Sequence, residues 1–328
     1  MEPLLSVIVP VYNAQDVLQE TLGNLIYQTA FERYGEGCME ILLIDDCSKD
    51  NTPQILDDLA AQFPDRLFVM HLPENLGPGG ARNAGMDAAR GHYVGFVDAD
   101  DMVDVTFFET MYETATGQGL AYDYVDSPVY YEDTGEALLM TPPELTGILD
   151  ASAKNSLLTN VGFLFTKLIR REFLETYHLR TREHITSEDE DFLAEIICRA
   201  ESCGVTDVPL YVRRNRPRAS EEDNMMKPFS TLVSCALSAY GRLTSIEDYD
   251  SFRHGAEAFY LIRLAQALKL YEAYHVQGLM SQDFDAQILS TVRRACETVV
   301  HGGVEDNPYA MAMLSDKDMR RLQKYLGL

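Results

Sequence analysis

The order of residues predicts an α/β fold: a mostly parallel sheet flanked by helices, with a helical appendage at the C-terminal end. Three observations carry that prediction. Short β-branched apolar runs alternate with helix-spaced segments through residues 1–116. The runs are apolar at nearly every position, as in strands covered on both faces, rather than at every second one. Beyond residue 228 the apolar residues recur at helical spacing only.

SVIVPVY (6–12) reads as the first strand. Residues 15–28 place Val17, Leu18, Leu22, Leu25 and Ile26 on one helical face. EILLIDD (40–46) is a second strand. PQILDDLAAQF (53–63) is a helix with Pro53 at its first position and Asn51 or Thr52 as cap. LFVMHL (67–72) is a third strand, GGARNAGMDAAR (79–90) a helix, and the run from Tyr93 to Asp101 a fourth strand, followed by a helix from about Asp104 to Thr116. Residues 117–165 are irregular and rich in Tyr, Asp and Pro. FTKLIRREFLETY (165–177) reads as the end of a strand and a helix. HITSEDEDFLAEIICRAESCG (184–204) reads as an acidic loop running into a helix that ends near Gly204, and PLYVRRNR (209–216) as one more strand. ASEEDNMMKP (219–228) has the composition of a linker, and residues 257–274 and 291–300 that of helices.

The 328 residues suffice for one large domain or two modest ones. Fifty-two Asp plus Glu face 27 Lys plus Arg, a formal charge of −25, a field that repels nucleic acid and anionic lipid at long range. No nucleic-acid partner is expected, although a local basic patch can still grip a phosphate. Six cysteines, at 38, 47, 198, 203, 235 and 296, form no CxxC pair and stand beside no histidine cluster; they read as reduced thiols. The start, MEPLLSVIVPVY, lacks the flanks of a signal peptide, and no segment reaches the ~18 uninterrupted apolar residues of a spanning helix. A cytoplasmic protein is expected, with peripheral contact at the inner face of the membrane and self-association left open.

Parallel strands have a consequence. Ligands of open α/β sheets sit outside the carboxyl ends of the strands. Each of the four strands ends in a polar or special cluster: Pro10 to Asn13, Asp45 to Ser48, Pro73 to Gly77, and Asp98 to Asp101. Carboxylates at Asp98, Asp100 and Asp101 suit a hard cation, which prefers oxygen ligands. Such motifs also occur in turns and helix caps, and Asp104 reads as a cap.

Four stretches in order, SVIVPVYN (6–13), ILLIDDCSKDNT (41–52), ENLGPGGARNAGMDAARGHYVGFVDADD (74–101) and SEDEDF (187–192), together resemble the inverting family 2 glycosyltransferases of GT-A fold, a Rossmann-like architecture. The resemblance spans roughly residues 4–220. It implies a catalytic domain over 1–220, with a nucleotide-sugar-binding half (1–116) and an acceptor-side half (117–220), followed by a helical region over 221–328. Pro10 and Tyr12 would line the base pocket, with Tyr12 stacking on uracil, and Asp46 would accept a hydrogen bond from the base while Asp45 supports the loop. Arg82 would lie near the nucleotide, and Asp98 near the ribose and metal. Asp100 would be the direct ligand of Mn²⁺ or Mg²⁺, with Asp98 and Asp101 as further ligands. Asp189 would be the acceptor-side general base.

Bland readings stand beside these: a strand-end aromatic for Tyr12, an Asx-type turn for Asp45 and Asp46, and first-turn acids complementing a helix dipole for Glu190 and Asp191. FTKLIRREFL (165–174) is similar to a further family segment, with Lys167 kept but Thr166 where Asn is common. In YVRRNRPRAS (211–220), Arg213, Arg214, Arg216 and Arg218 form a basic island. Phosphate capture, with Arg216 as first choice, competes there with a solvated strand edge.

The partners implied are a nucleotide-sugar donor, UDP by default, and a saccharide or lipid-linked saccharide acceptor, in polysaccharide or glycolipid synthesis. Two alternatives are a sugar-nucleotide pyrophosphorylase, for which PVYNAQ lacks a glycine-rich loop, and a non-catalytic nucleotide-sugar-binding protein. A dinucleotide enzyme is disfavoured: GPGGARNAG places Arg82 at the third glycine of that fingerprint and follows the third strand instead of the first.

Overall fold

The computed structural model describes residues 2–185, 187–214, 227–276, 289, 290, 292, 293, 296 and 303–327. The chain divides into two compact units. The first holds Met1–Leu149, Gly162–Asp189 and Ala200–Pro217; the second holds Asp150–Val161, Glu190–Arg199 and Arg218–Leu328.

The first unit runs β1 (Leu5–Val11), α1 (Leu18–Ile26), α2 (Thr29–Tyr34), β2 (Met39–Asp45), α3 (Thr52–Gln62), β3 (Leu67–His71), α4 (Gly77–Ala88), β4 (Tyr93–Phe96), β5 (Met102–Val103), α5 (Phe107–Thr116), β6 (Tyr124–Asp126), β7 (Val129–Tyr131), β8 (Glu136–Leu138) and β9 (Gly147–Ile148). After α6 (Ala151–Leu158), which belongs to the second unit, come β10 (Lys167–Arg170) and α7 (Arg171–Thr176). Then α8 (Glu190–Arg199), again of the second unit, precedes β11 (Ser202–Val205) and β12 (Tyr211–Arg213).

Eight strands form one sheet in the order β3-β2-β1-β4-β10-β6-β11-β9. The first four are mutually parallel, with Val11 opposite Asp45 and Ile8 opposite Phe96. Sequence order reverses on either side of β1, which opens the ligand crevice of such sheets at the carboxyl ends of β1 and β4. β10 runs antiparallel to β4, so the start of β10 lies at the same edge as the end of β4. A smaller sheet has the order β5-β12-β7-β8.

The main sheet is covered on both faces, as its all-apolar strands require. Leu5, Val7, Val9 and Val11 share a core with Leu18, Leu22 and Leu25 of α1 and Phe107 and Phe108 of α5. Ile8 points the other way, against α4: a Cβ at Gly85 would stand 2.4 Å from the Ile8 Cγ2.

In the second unit, α9 (Lys227–Leu243), α10 (Tyr249–Val276), α11 (Pro308–Met313) and α12 (Asp316–Leu326) complete the helices of known bounds. Ala236, Ala258, Tyr260, Leu261, Leu264 and Leu268 form its core. Asn155 of α6 clasps α10, accepting from Gly255 N at 2.6 Å and donating to Ser251 O at 2.9 Å. No described helix is long and apolar enough to cross a membrane.

Three expectations change. The helix placed from about Asp104 to Thr116 begins at Phe107, because Asp104 N donates to Leu210 O and Asp104 Oδ1 accepts from Thr106 N and Oγ1. The helix extended to Gly204 stops at Arg199: Asp123 Oδ2 accepts from Glu201 N and Ser202 N, and residues 202–205 pair with β6. The single cut at 220–221 does not reproduce the compact units, since α6 and α8 cluster with the C-terminal helices through contacts such as Asn155–Gly255 and Glu190–Arg263. The linker at 219–228 falls almost wholly outside the described residues, and so does most of the helix expected over 291–300.

Candidate functional site

The four strand-end clusters meet at one edge of the sheet, and backbone geometry marks them. Among the described residues, four of the five non-glycine residues with positive φ lie here: Asn13, Cys47, His184 and Ser187. Such conformations persist where surrounding structure over-determines them, and they gather at functional sites. Pro10 lies within β1, and beyond its end Tyr12 is 49% exposed, a flat ring available for stacking.

The two acids after β2 have different duties. Asp45 is buried; its Oδ1 accepts from Ser48 N at 3.0 Å and its Oδ2 meets His71 Nδ1 at 2.8 Å. It holds the loop, as expected. Asp46 is buried too, and its Oδ1 accepts from Leu76 N at 2.7 Å, at the start of α4. Burial pushes the Asp46 carboxyl up, and the Leu76 and Gly77 N–H groups pull it back. An acid there complements the positive end of the helix. Asp46, for which a hydrogen bond from a base is expected, thus already binds a main-chain amide with its Oδ1.

At the centre stands Arg82. Its Nη2 reaches Asp98 Oδ1 at 2.8 Å, its Nη1 pairs with Glu188, and its buried Nε has no hydrogen-bond partner among the described residues. Burial alone would lower its pKa, but the carboxylates of Asp98, Glu188 and Asp189 raise it, so the guanidinium stays charged. The arginine thus joins the end of β4 to the loop that carries Asp189. Gly77 and Gly79 of GPGGARNAG face the loop of this joint. A Cβ at Gly79 would stand 1.9 Å from Arg182 O, so only glycine lets that loop approach α4. His184 N donates to Leu76 O at 2.8 Å, and Asn83 Nδ2 to Thr181 O at 2.9 Å, along the same seam.

Among the described residues, no group of three or more His, Cys, Asp or Glu is arranged to hold a metal ion. Asp101, expected as a further metal ligand, has protein partners: its Oδ2 accepts from Tyr211 Oη at 2.9 Å and its Oδ1 from Arg214 N at 2.8 Å. Burial, then the charge of Asp98, pushes Asp101 up to about 7. It pins β12 to the strand end. Tyr211 Oη also accepts from Asp98 N at 3.1 Å.

Two residues left open by sequence find partners. Thr166 donates to Asp126 Oδ1 at 2.6 Å, and Lys167 Nζ lies 3.1 Å from the same oxygen. Thr141 donates to Asp126 Oδ2 at 2.6 Å, so a buried carboxylate organises the start of β10. Glu188, assigned no role from sequence, proves central; its only signal was its place before Asp189. Arg216 and Arg218 lie outside the described residues.

A doubly covered α/β sheet with acids gathered at its switch point has the form of the open α/β sheets that take ligands at the carboxyl ends of their strands. The comparisons with known proteins make it particular. The family model described as Glycosyl transferase family 2 matches residues 6–177, and the chain belongs to that family. EpsJ of Bacillus subtilis, described as an uncharacterized glycosyltransferase, is 32% identical over 231 residues, covering 68% of this chain and 64% of that protein. The matched region thus spans just under two thirds of that relative. TuaG of the same organism, a putative teichuronic acid biosynthesis glycosyltransferase, is 28% identical over 57% of this chain and 71% of its own length. Among solved structures, S. aureus TarS 1–349 in complex with UDP-GlcNAc superposes with a TM-score of 0.76 at 19% identity, over 100% of this chain and 91% of that one. The fold is GT-A.

Proposed function

We propose that this glycosyltransferase moves a sugar from a nucleoside-diphosphate sugar, with UDP as the nucleotide, to a hydroxyl acceptor in one inverting displacement. One observation carries the reading: Arg82 ties Asp98, at the end of β4, to Glu188, next to Asp189. A donor-side acid and the candidate base are thereby held to one edge. Tyr12 offers its ring to the base, Asp46 the loop beneath it, and Arg82 a cation near the phosphates. Asp189 takes the proton of the acceptor hydroxyl as its oxygen bonds to the anomeric carbon. A single displacement differs from retaining hydrolysis, which needs a second carboxylate as nucleophile. The UDP-GlcNAc in the TarS complex supports UDP, and the names of the relatives support a cell-surface polymer as destination. Nucleotide sugars are cytoplasmic metabolites, which supports action there, at the inner face of the membrane.

A divalent cation fits this donor set in a restricted way. Asp100, the ligand that the family resemblance implies, is the residue that would hold it, beside an Asp101 that binds Tyr211 and Arg214 and an Asp98 whose Oδ1 binds Arg82. One carboxylate, water and substrate phosphate are a usual set for Mg²⁺. Bound there, Mn²⁺ or Mg²⁺ would supply neutralisation of charge on the departing diphosphate. The PcManGT structure from Pyrobaculum calidifontis, in complex with GDP-Man and Mn²⁺, supports the same role.

Calorimetry with UDP and Mn²⁺ and an assay of UDP release test the proposal together. Asp189→Asn is expected to bind UDP as the wild type does and to lose transfer by a factor of about a hundred or more. Wild-type turnover in that variant overturns the assignment.

A further inference from the structure

Of the basic island, Arg213 and Arg214 are described, and the donor reading uses neither. Arg214 is neutralised inside the protein, by Glu20 and Glu132. Arg213 instead lies over three rings: its guanidinium carbon is 5.9 Å from the Tyr131 centroid, 5.5 Å from Phe163 and 5.8 Å from Phe165. No ion pair or side-chain hydrogen bond engages it among the described residues. A guanidinium attracted to neighbouring rings keeps its N–H donors for a further acceptor.

The rings form a ladder rooted in the site. Phe163 stacks on Phe165 at 5.0 Å, and Phe165 on Tyr211 at 4.5 Å. Tyr211 in turn holds Asp101 and Asp98. Phe163 and Phe165 immediately precede β10, which pairs with β4 on the side away from β1. The base pocket at β1 and β2 and the ladder at β10 therefore flank the acids from opposite sides, along one edge. Phe163 and Tyr131 are half-buried, as is Arg213.

We propose that Arg213 on its aromatic support is an acceptor subsite for an oxyanion, so that the acceptor is a saccharide or polyol chain bearing phosphate or carboxylate groups. The inference rests on the transferase reading above. Rings next to a fork of N–H donors match such a chain: the guanidinium grips the anion bidentately and the rings cover C–H surface beside it.

The test is calorimetry of the full chain, saturated with UDP and Mn²⁺, against three oligomers of equal length: glycerol phosphate, galacturonate and neutral maltosaccharide. One anionic oligomer should bind at least roughly tenfold tighter than the neutral one, less tightly at higher salt. Arg213→Ala and Arg213→Gln should each lose roughly tenfold or more, and Arg213→Lys less, with UDP affinity unchanged within about twofold. The phosphate and uronate arms tell the two anions apart. Equal affinity for neutral and anionic oligomers, no oligomer binding to the wild type, or a loss of UDP affinity in Arg213→Ala overturns the subsite. Failure of the wild type to bind UDP, measured first without oligomer, refutes the donor reading instead.

Discussion

Removing the charge of Arg82 tests the joint on which the site is built. In Arg82→Met the side-chain volume is nearly kept and the cation is lost. The Arg82 and Glu188 side chains are only 8% and 7% exposed, and Asp98 21%. Deleting one member of a buried ion pair costs about 3–5 kcal/mol, because the partner stays behind uncompensated. Water reaching Asp98 takes over part of its solvation, so the lower end, about 3 kcal/mol, is the better figure. For a unit of roughly 200 residues that is a loss of about 6–12 °C in Tm. Glu188→Gln keeps a hydrogen-bond acceptor and costs less, about 1.5–3 kcal/mol. The double variant should fall well short of the sum, because the second change removes the stranded carboxylate. Unfolding followed by far-UV circular dichroism is suitable, as the chain has no Trp. If Arg82→Met melts within about 2 °C of wild type and the two changes are additive, the ion pair does not organise this edge.

Glycine substitutions should split by location. Gly79→Ala drives a Cβ into Arg182 O and should cost about 1–3 kcal/mol while weakening UDP binding; Gly23→Ala, with nothing within 4 Å on α1, should stabilise by about 0.4–1 kcal/mol in the same denaturation assay. Thr166→Val strips a donor from buried Asp126 and should cost about 1–3 kcal/mol, whereas Thr166→Ser should be nearly silent. His71 lies between Asp45 and Asp57, and the hydrogen bond to Asp45 is the main cause raising its pKa above 6.5 against the opposing effect of burial. Its stabilising contribution is therefore complete below that value and is lost as pH rises through the folded pKa. The stability difference between wild type and His71→Gln should shrink as urea melts are repeated from pH 6 to pH 9.

Much of the fold was legible because its signals are local. SVIVPVY and EILLIDD are apolar at successive positions, and only a doubly covered strand makes use of that. The strand-end clusters then followed from parallel order alone. What stayed hidden depended on partners distant in sequence. Met102–Val103 carries no strand signal of its own until β12 pairs with it, and Ser202–Val205 looks like the end of a helix until β6 does. Thr166 contacts a carboxylate 40 residues away, which no spacing rule reports. The glycines of GPGGARNAG were read mainly by comparison with phosphate loops, whereas Gly79 exists for the close approach of a loop a hundred residues on.

The same limit explains why sequence could list the acids of this edge but not sort them. Asp45, Asp46, Asp98, Asp101 and Glu188 are chemically alike, and as bare charges they would repel one another. Each instead has a scaffold partner of its own: His71 and Ser48 for Asp45, the amide of Leu76 for Asp46, Tyr211 and the amide of Arg214 for Asp101, and the two ends of one guanidinium for Asp98 and Glu188. Those partners come from β3, α4 and β12, so an acid's duty is set by which element packs beside it. Compensation of this kind lets a chain of net charge −25 gather acids at one sheet edge.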